Sequence, residues 1–478
     1  MNFVAPAQSV LLSVEPERCA TANLQCEQDW SNLKSVFRSQ KLATSLEHIE
    51  STSNTTYEIG RFAGLVNMSR AAQQPFHRWV RYREGYSGEL VQEILRRHPI
   101  DKEREFVMDP MCGSGSTLVA CLQSGMAALG TDVSGYAVLS SRVKTRRYTE
   151  SDIQSLLACL SDFESRQFEA QSPIPHSKAS TLSKYFEAGR LATLHSMLEW
   201  TYTLRSIEEQ EFFRLSVLSS LEDCSNRKKD GNGLATRPSP VSDVKGRVLL
   251  QCKLMLEDIS SHASADLLHT QAIEASALDL SESATAFSCD SGLSLGSIIF
   301  SPPYANSFDY FESYKLELVF GDFISDTSIK GDRSKMIRNY RIGYGGELKS
   351  DNELVELLCR EIWEQIPQKE NETGVRDGRT RLIPNMLRAY FEDMTEVLRQ
   401  GLHSLNTNGR MHIVVDQSAY VGVPIPTDLI FCDIALKLGY EVEAIIVCRR
   451  ANTSGQQLKR HPYLRNLLRE SIVTLKKL

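Results

Sequence analysis

The stretch from Phe106 to Asp132 constrains the fold more than any other part of the chain. It reads Phe106-Val107-Met108-Asp109-Pro110-Met111-Cys112-Gly113-Ser114-Gly115-Ser116-Thr117, followed by Leu118-Val119-Ala120-Cys121-Leu122. An apolar strand runs into a glycine-rich turn and out into a helix. Gly113 and Gly115 let the backbone approach a ligand closely, and the helix that follows offers free amides. A second apolar stretch, Met126-Ala127-Ala128-Leu129, ends in Gly130-Thr131-Asp132. A carboxylate at that point can take both ribose hydroxyls of a nucleoside. Strand, turn, helix and strand make the unit of an α/β sheet. The G-x-G-x-x-G fingerprint of dinucleotide folds is absent, because Leu118 stands where its third glycine would fall.

Far downstream the apolar run Ile298-Ile299-Phe300 leads into Ser301-Pro302-Pro303-Tyr304. The exocyclic amine of cytosine or adenine is a poor nucleophile, since its lone pair is delocalised into the ring. A hydroxyl at the first position and a prolyl carbonyl at the second can each accept a hydrogen bond from such an NH2 and draw the nitrogen towards tetrahedral geometry. Tyr304 supplies a face on which a base can stack, and the two prolines stiffen the loop. Together the two segments resemble S-adenosylmethionine-dependent DNA amino-methyltransferases, the N4-cytosine and N6-adenine modification methylases. Their glycine loop reads D-P-F-x-G-S-G-T and their catalytic tetrapeptide S/N/D-P-P-Y/F. The aromatic and basic segment from Pro75 to Ser87 looks like the piece these enzymes place ahead of the loop to close the methionine side of the cofactor pocket. Asp309 to Leu318 is also typical of them. The tail is similar too, with strands expected in Gly409–Asp416, Ala444–Val447 and Ser471–Leu475.

The resemblance covers residues 57–145 and 268–478. It implies a Rossmann-like class I methyltransferase fold, a seven-stranded and mostly parallel sheet with helical insertions. The implied cofactor is S-adenosylmethionine. It would be held by Phe76, Trp79, Asp109, Pro110, Cys112, Gly113, Ser114, Gly115 and Asp132, with Cys112 a packing residue rather than a nucleophile. Ser301, Pro302, Pro303 and Tyr304 would act on the target base, which must leave the helix to reach them. One position departs from the family. Where an acid contacts the adenine amino group the chain has Ser276, and Asp279 lies three residues on; either could make that contact. Serine at the first tetrapeptide position is commoner among N4-cytosine enzymes, so N4-cytosine methylation is expected. N6-adenine methylation, methylation of structured RNA and a non-catalytic specificity or scaffold subunit are the alternatives. C5-cytosine methylation is excluded, because it needs a Pro-Cys nucleophile and the chain has no such dipeptide.

The implied partners are double-stranded DNA and a cognate restriction endonuclease. The net charge of −6 does not advertise either, so local clusters matter more. Residues 1–56 read as a peripheral segment with a helix around Trp30–His48. Residues 146–267 read as a helical insertion suited to target recognition, interrupted by a loop carrying Arg227, Lys228 and Lys229. A second insertion over 322–385 carries Lys330, Arg333, Lys335, Arg338 and Arg341. Both basic clusters are expected to grip phosphates. The eleven cysteines show no C-x-x-C spacing, so no metal site is expected and the dispersed thiols fit a cytoplasmic protein. No apolar run approaches the ~18 residues that would span a membrane.

Overall fold

The computed structural model describes residues 33–68, 71–82, 85–169, 174–230, 233–262, 269–324, 335–339, 348–451 and 453–478. Its centre is one eight-stranded sheet. In chain order the strands are β1 (Thr55–Tyr57), β2 (Glu105–Asp109), β3 (Ala127–Asp132), β6 (Thr270–Glu274), β7 (Ser294–Phe300), β8 (Arg410–Asp416), β11 (Tyr440–Arg450) and β12 (Arg469–Lys477). Two hairpins outside the sheet supply the intervening numbers: β4 (Arg227–Asp230) with β5 (Gly233–Thr236), and β9 (Ser418–Tyr420) with β10 (Val423–Ile425). Across the sheet the order is β6-β3-β2-β7-β8-β12-β11-β1. Only β12 runs against its neighbours. Leaving out β1, the strands count 3-2-1-4-5-7-6 with the seventh reversed, which is the class I methyltransferase arrangement.

The strands form because their side chains alternate between two apolar faces. Phe106 and Met108 of β2, Ile298 and Phe300 of β7 and Ile413 and Val415 of β8 enter one core. Val107, Ile299 and Val414 between them enter the other. Because both faces are covered, the central strands read as continuous apolar runs. The reversal between β11 and β12 gives a hairpin at the sheet's far side. Gly439, at φ 102°, ends the helix Thr427–Leu438 and releases the chain into β11.

The eighth strand is a departure from the seven expected, and it comes from the segment read as peripheral. Helix Gln40–Thr52 buries Leu42, Ala43, Leu46 and Ile49 in the main core. β1 then pairs parallel to β11 and takes the edge of the sheet. The 322–385 region is also built into the core where it is described. Helix Glu353–Thr373 buries Leu354, Val355, Leu358, Ile362 and Ile366 beside helix Ile383–Ser404. The 146–267 region is helical, with Glu150–Ser165, Ala188–Thr201, Ile207–Cys224 and Val244–Ser261 around a second apolar cluster. That cluster is continuous with Tyr136, Phe311 and Tyr314 beside the ligand pocket.

Candidate active site

Parallel strands end on one edge of the sheet, and ligands of open α/β sheets bind there. The loops after β2, β3, β6 and β7 meet at that edge around one pocket. Its lining includes Asp109–Ser114, Asp132, Ser301 and Pro303. Chain segments far apart in sequence, the glycine loop and the tetrapeptide, thus face the same cavity.

The glycine loop is held almost residue by residue. Asp109 Oδ1 accepts from Met111 N at 3.1 Å, and Oδ2 accepts from Thr117 Oγ1 and Tyr86 Oη. Thr131 Oγ1 donates to the Pro110 carbonyl and Ser141 Oγ to that of Gly113. The buried Lys144 Nζ donates to the Ser114 carbonyl at 2.8 Å. Gly113 sits at φ 50° and Gly115 at φ 87°, in the left-handed region. Gly115 faces away from the pocket: a Cβ there would lie 2.7 Å from Ser141 Oγ, so the glycine lets two helices close. Asp132 presents its carboxylate at the pocket, where Oδ2 accepts from Gly113 N at 3.0 Å and Oδ1 from Ser134 N at 2.8 Å. Each oxygen retains a lone pair for a ligand hydroxyl. Burial pushes the Asp109 carboxyl up to about 7 and that of Asp132 up to about 6.

Ser301 lines the pocket and Pro302 is buried behind it. Tyr304 does not present a stacking face. Its side chain is 7% exposed, and its hydroxyl donates to Glu470 Oε1 at 2.9 Å. Ser301 Oγ lies 3.5 Å from that same hydroxyl, and Arg449 binds the other Glu470 oxygen. Asn339 fixes the following loop through the Tyr304 and Phe308 carbonyls. Aromatic faces come instead from Tyr82, Tyr310, Phe311 and Tyr314, with Tyr82 and Tyr314 stacked at 4.6 Å.

Other expected residues fall elsewhere. Phe76 and Trp79 are off the pocket, tied to Asp258 of the helical insertion through the Phe76 amide and the Trp79 indole. Tyr82, Gly85 and Tyr86 of the same segment line the pocket in their place. The side chain of Ser276 caps a short 3-10 turn and Asp279 is exposed, while Ala277 between them reaches the wall. The Arg227-Lys228-Lys229 loop is a hairpin strand. Lys229 is 5% exposed and paired with Glu317 at 2.6 Å, which removes it from any phosphate. Arg227 lies over the Tyr185 ring, and Lys228 is exposed. Arg338 is bound to Asp393 and Glu392. Lys335 lines the pocket; Arg333 and Arg341 lie outside the described residues. Among the described residues no cluster of metal-ligating side chains occurs, and no helix is long and apolar enough to cross a membrane.

Sheet order and pocket together match a Rossmann-like methyltransferase fold, with the segments that resemble the amino-methyltransferase motifs on one cavity. No protein-family model matches the chain. The type II methyltransferase M.AvaI of Nostoc sp. is 25% identical over 459 residues, covering 86% of this chain and 89% of its own. M.BsoBI of Geobacillus stearothermophilus, also a type II methyltransferase, is 23% identical over 525 residues, covering 98% of each. The resemblance to this methyltransferase family first read in short motifs therefore extends along the chain. Among solved structures, an rRNA methyltransferase from Streptomyces viridochromogenes aligns with 82% of this chain and 85% of its own at 10% identity. The TM-score of that alignment is 0.26.

Proposed function

We propose that the protein methylates an exocyclic amine of a base turned out of duplex DNA at a specific site, with S-adenosylmethionine as methyl donor and cytosine N4 as the acceptor. Adenine N6 is the alternative acceptor. The observation that carries this reading is that Ser301 and Asp132 line one pocket. An amine-holding hydroxyl and a ribose-holding carboxylate are thereby set on the same cavity. The type II methyltransferase relatives support the DNA substrate, and the serine of the tetrapeptide supports cytosine.

The donor set suits this cofactor. Asp132 has acceptor capacity for ribose hydroxyls, the Pro110–Ser114 backbone skirts the cavity, and Ala277, Met336 and Ile337 form an apolar stretch of wall suited to an adenine ring. When bound, S-adenosylmethionine supplies a methyl group on a positively charged sulfur, open to direct in-line attack. The protein's part is to make the amine attack. Ser301 Oγ lies 3.5 Å from Tyr304 Oη, whose own hydrogen is donated to Glu470, so the serine O–H can turn back towards the phenol oxygen. Turned that way, the serine oxygen keeps lone-pair capacity for the cavity and acts as an acceptor for the amine N–H. The Pro302 carbonyl accepts the second N–H. The nitrogen lone pair is freed from the ring as charge builds in the transition state, where these acceptors matter most, and the proton the nitrogen sheds on methylation leaves to water. Burial of Glu470 at 1% exposure and its pairing with Arg449 hold the line of donors in one direction.

Mapping modified bases across the genome of a bacterial host expressing the protein tests the reading. N4-methylcytosine confined to one short sequence is expected. N6-methyladenine at such a site would move the acceptor to adenine, and an unmodified genome would overturn the proposal.

A further inference from the structure

The structure points to a second nucleic-acid contact that neither basic motif of the sequence marks. Beside the methyl-transfer edge lies a cleft between the segment that follows helix Glu353–Thr373 and helix Gly455–Arg460. Arg376 and Arg379 line one side, Lys459 and Arg460 the other, and Val421 of the β9–β10 turn lies between. All four cations are exposed, and no ion pair to any of them occurs among the described residues. Glu370, whose carboxylate feels the Arg376 charge, is already held by Arg381. Asp377, also in the wall, is held by Lys369 and Thr380. The cleft therefore keeps a positive excess in a chain whose net charge is −6. The two walls are about eighty residues apart in sequence, so the convergence is made by the fold.

Its position gives the cleft a purpose. The segment after β11 emerges on the same edge of the sheet as the glycine loop and Ser301. Direct hydrogen bonds join the two places. Gln457 Nε2 donates to the Ala419 carbonyl, and Ser418 Oγ donates at 2.7 Å to the carbonyl of Ala305, the residue after Tyr304. Tyr420 Oη reaches that same carbonyl. The β9–β10 hairpin thus spans from the catalytic tetrapeptide to the basic cleft. We infer that the cleft holds the phosphate backbone of the duplex whose base enters the Ser301 pocket. This rests on the DNA-methyltransferase reading above. Guanidinium and ammonium groups without carboxylate partners suit phosphates, which give affinity and register but no sequence information. Two of the cations the sequence offered, Lys229 and Arg338, are held by acids instead, whereas the four of this cleft face solvent.

The test is binding of a fluorescent random-sequence duplex of about thirty base pairs, over a series of salt concentrations. Arg376→Ala/Arg379→Ala and Lys459→Ala/Arg460→Ala are measured separately and combined, with Arg376→Lys/Arg379→Lys as the charge-keeping control. Each lost phosphate contact should lower the slope of log affinity against log salt by about 0.9. The combined variant should lose close to four such increments and bind at least about tenfold more weakly near physiological salt, while the lysine control keeps the wild-type slope. Unchanged S-adenosylmethionine affinity in calorimetry shows that the variants are folded. Wild-type slopes in both alanine pairs would overturn the cleft while leaving the methyltransferase reading intact. A wild-type protein that neither binds nor methylates duplex DNA would overturn both.

Discussion

At the scale of single residues, Ser301 and Glu470 are joined through Tyr304, and their variants separate positioning from binding. Tyr304→Phe and Glu470→Gln should leave cofactor affinity near wild type while slowing single-turnover methyl transfer, because the serine proton loses its outlet and the hydroxyl no longer faces the amine as an acceptor alone. Transfer at the wild-type rate in both variants would remove the orienting line. Asp132 makes the complementary prediction. Removing its acceptors by Asp132→Ala should weaken S-adenosylmethionine by about 1.5–3 kcal/mol. Calorimetry giving the wild-type dissociation constant would take the carboxylate out of the ribose site. Glu470 left no mark in the sequence. It is the second residue of the last strand, 166 residues beyond Tyr304, and only the reversal of β12 brings it behind the tetrapeptide. Tyr82 and Tyr86 were within reach of a sequence reading, since they stand in the same aromatic segment as Phe76 and Trp79. Nothing in the order of aromatic residues says which of them turn towards the ligand and which towards a helix of the insertion.

Among the elements, β12 depends on a buried charge network. Arg469 bonds Asp428 at 2.7 Å and Glu50 of helix Gln40–Thr52 at 2.6 Å, and Asp428 also accepts from Gln417 and Ser471. Removing the cation leaves Asp428, which has no exposed surface, without its countercharge. Arg469→Met should therefore cost about 3–5 kcal/mol in urea unfolding. A loss below about 1 kcal/mol would show that the network contributes packing and little else. The long strands and core helices were legible because period-2 and period-3.6 apolar patterns survive in them. The hairpin at Arg227–Thr236 was not, and the reason is specific. Lys229 turns inward to Glu317 while Lys228 and Asp230 turn out, so a strand's alternation is present in burial but hidden by consecutive charges. The glycine loop and tetrapeptide were legible because bond geometry demands those residue types there. The basic cleft was not, since its walls are joined only by tertiary folding.

For the whole molecule, the raised carboxyl groups in the pocket set a pH response. Burial pushes Asp109 up to about 7, whereas an unfolded chain's aspartate titrates near ~3.9. The native state thus binds the extra proton across that interval. The stability this supplies is fully present below the unfolded value and is lost as pH rises through about 7. Asp109→Asn removes the penalty of a buried charge and keeps a side chain able to accept from Met111 N. The stability of this variant relative to wild type should therefore climb from pH 5 to 7.5 and then level off. Buried His77 and Lys144, also shifted by desolvation, are common to both proteins and largely drop out of the difference. A pH-independent difference would mean that Asp109 is ionised throughout.

The central claim is that Ser301 holds an exocyclic amine of DNA for methyl transfer. It is tested most directly by incubating purified protein with isotope-labelled S-adenosylmethionine and duplex DNA, digesting the DNA to nucleosides and identifying the labelled one by mass spectrometry. Wild-type protein should place the label on N4-methylcytosine, and Ser301→Ala should bind the cofactor normally yet leave the DNA almost unlabelled. Equal labelling by the variant, or label on a ring carbon rather than an exocyclic nitrogen, would contradict it.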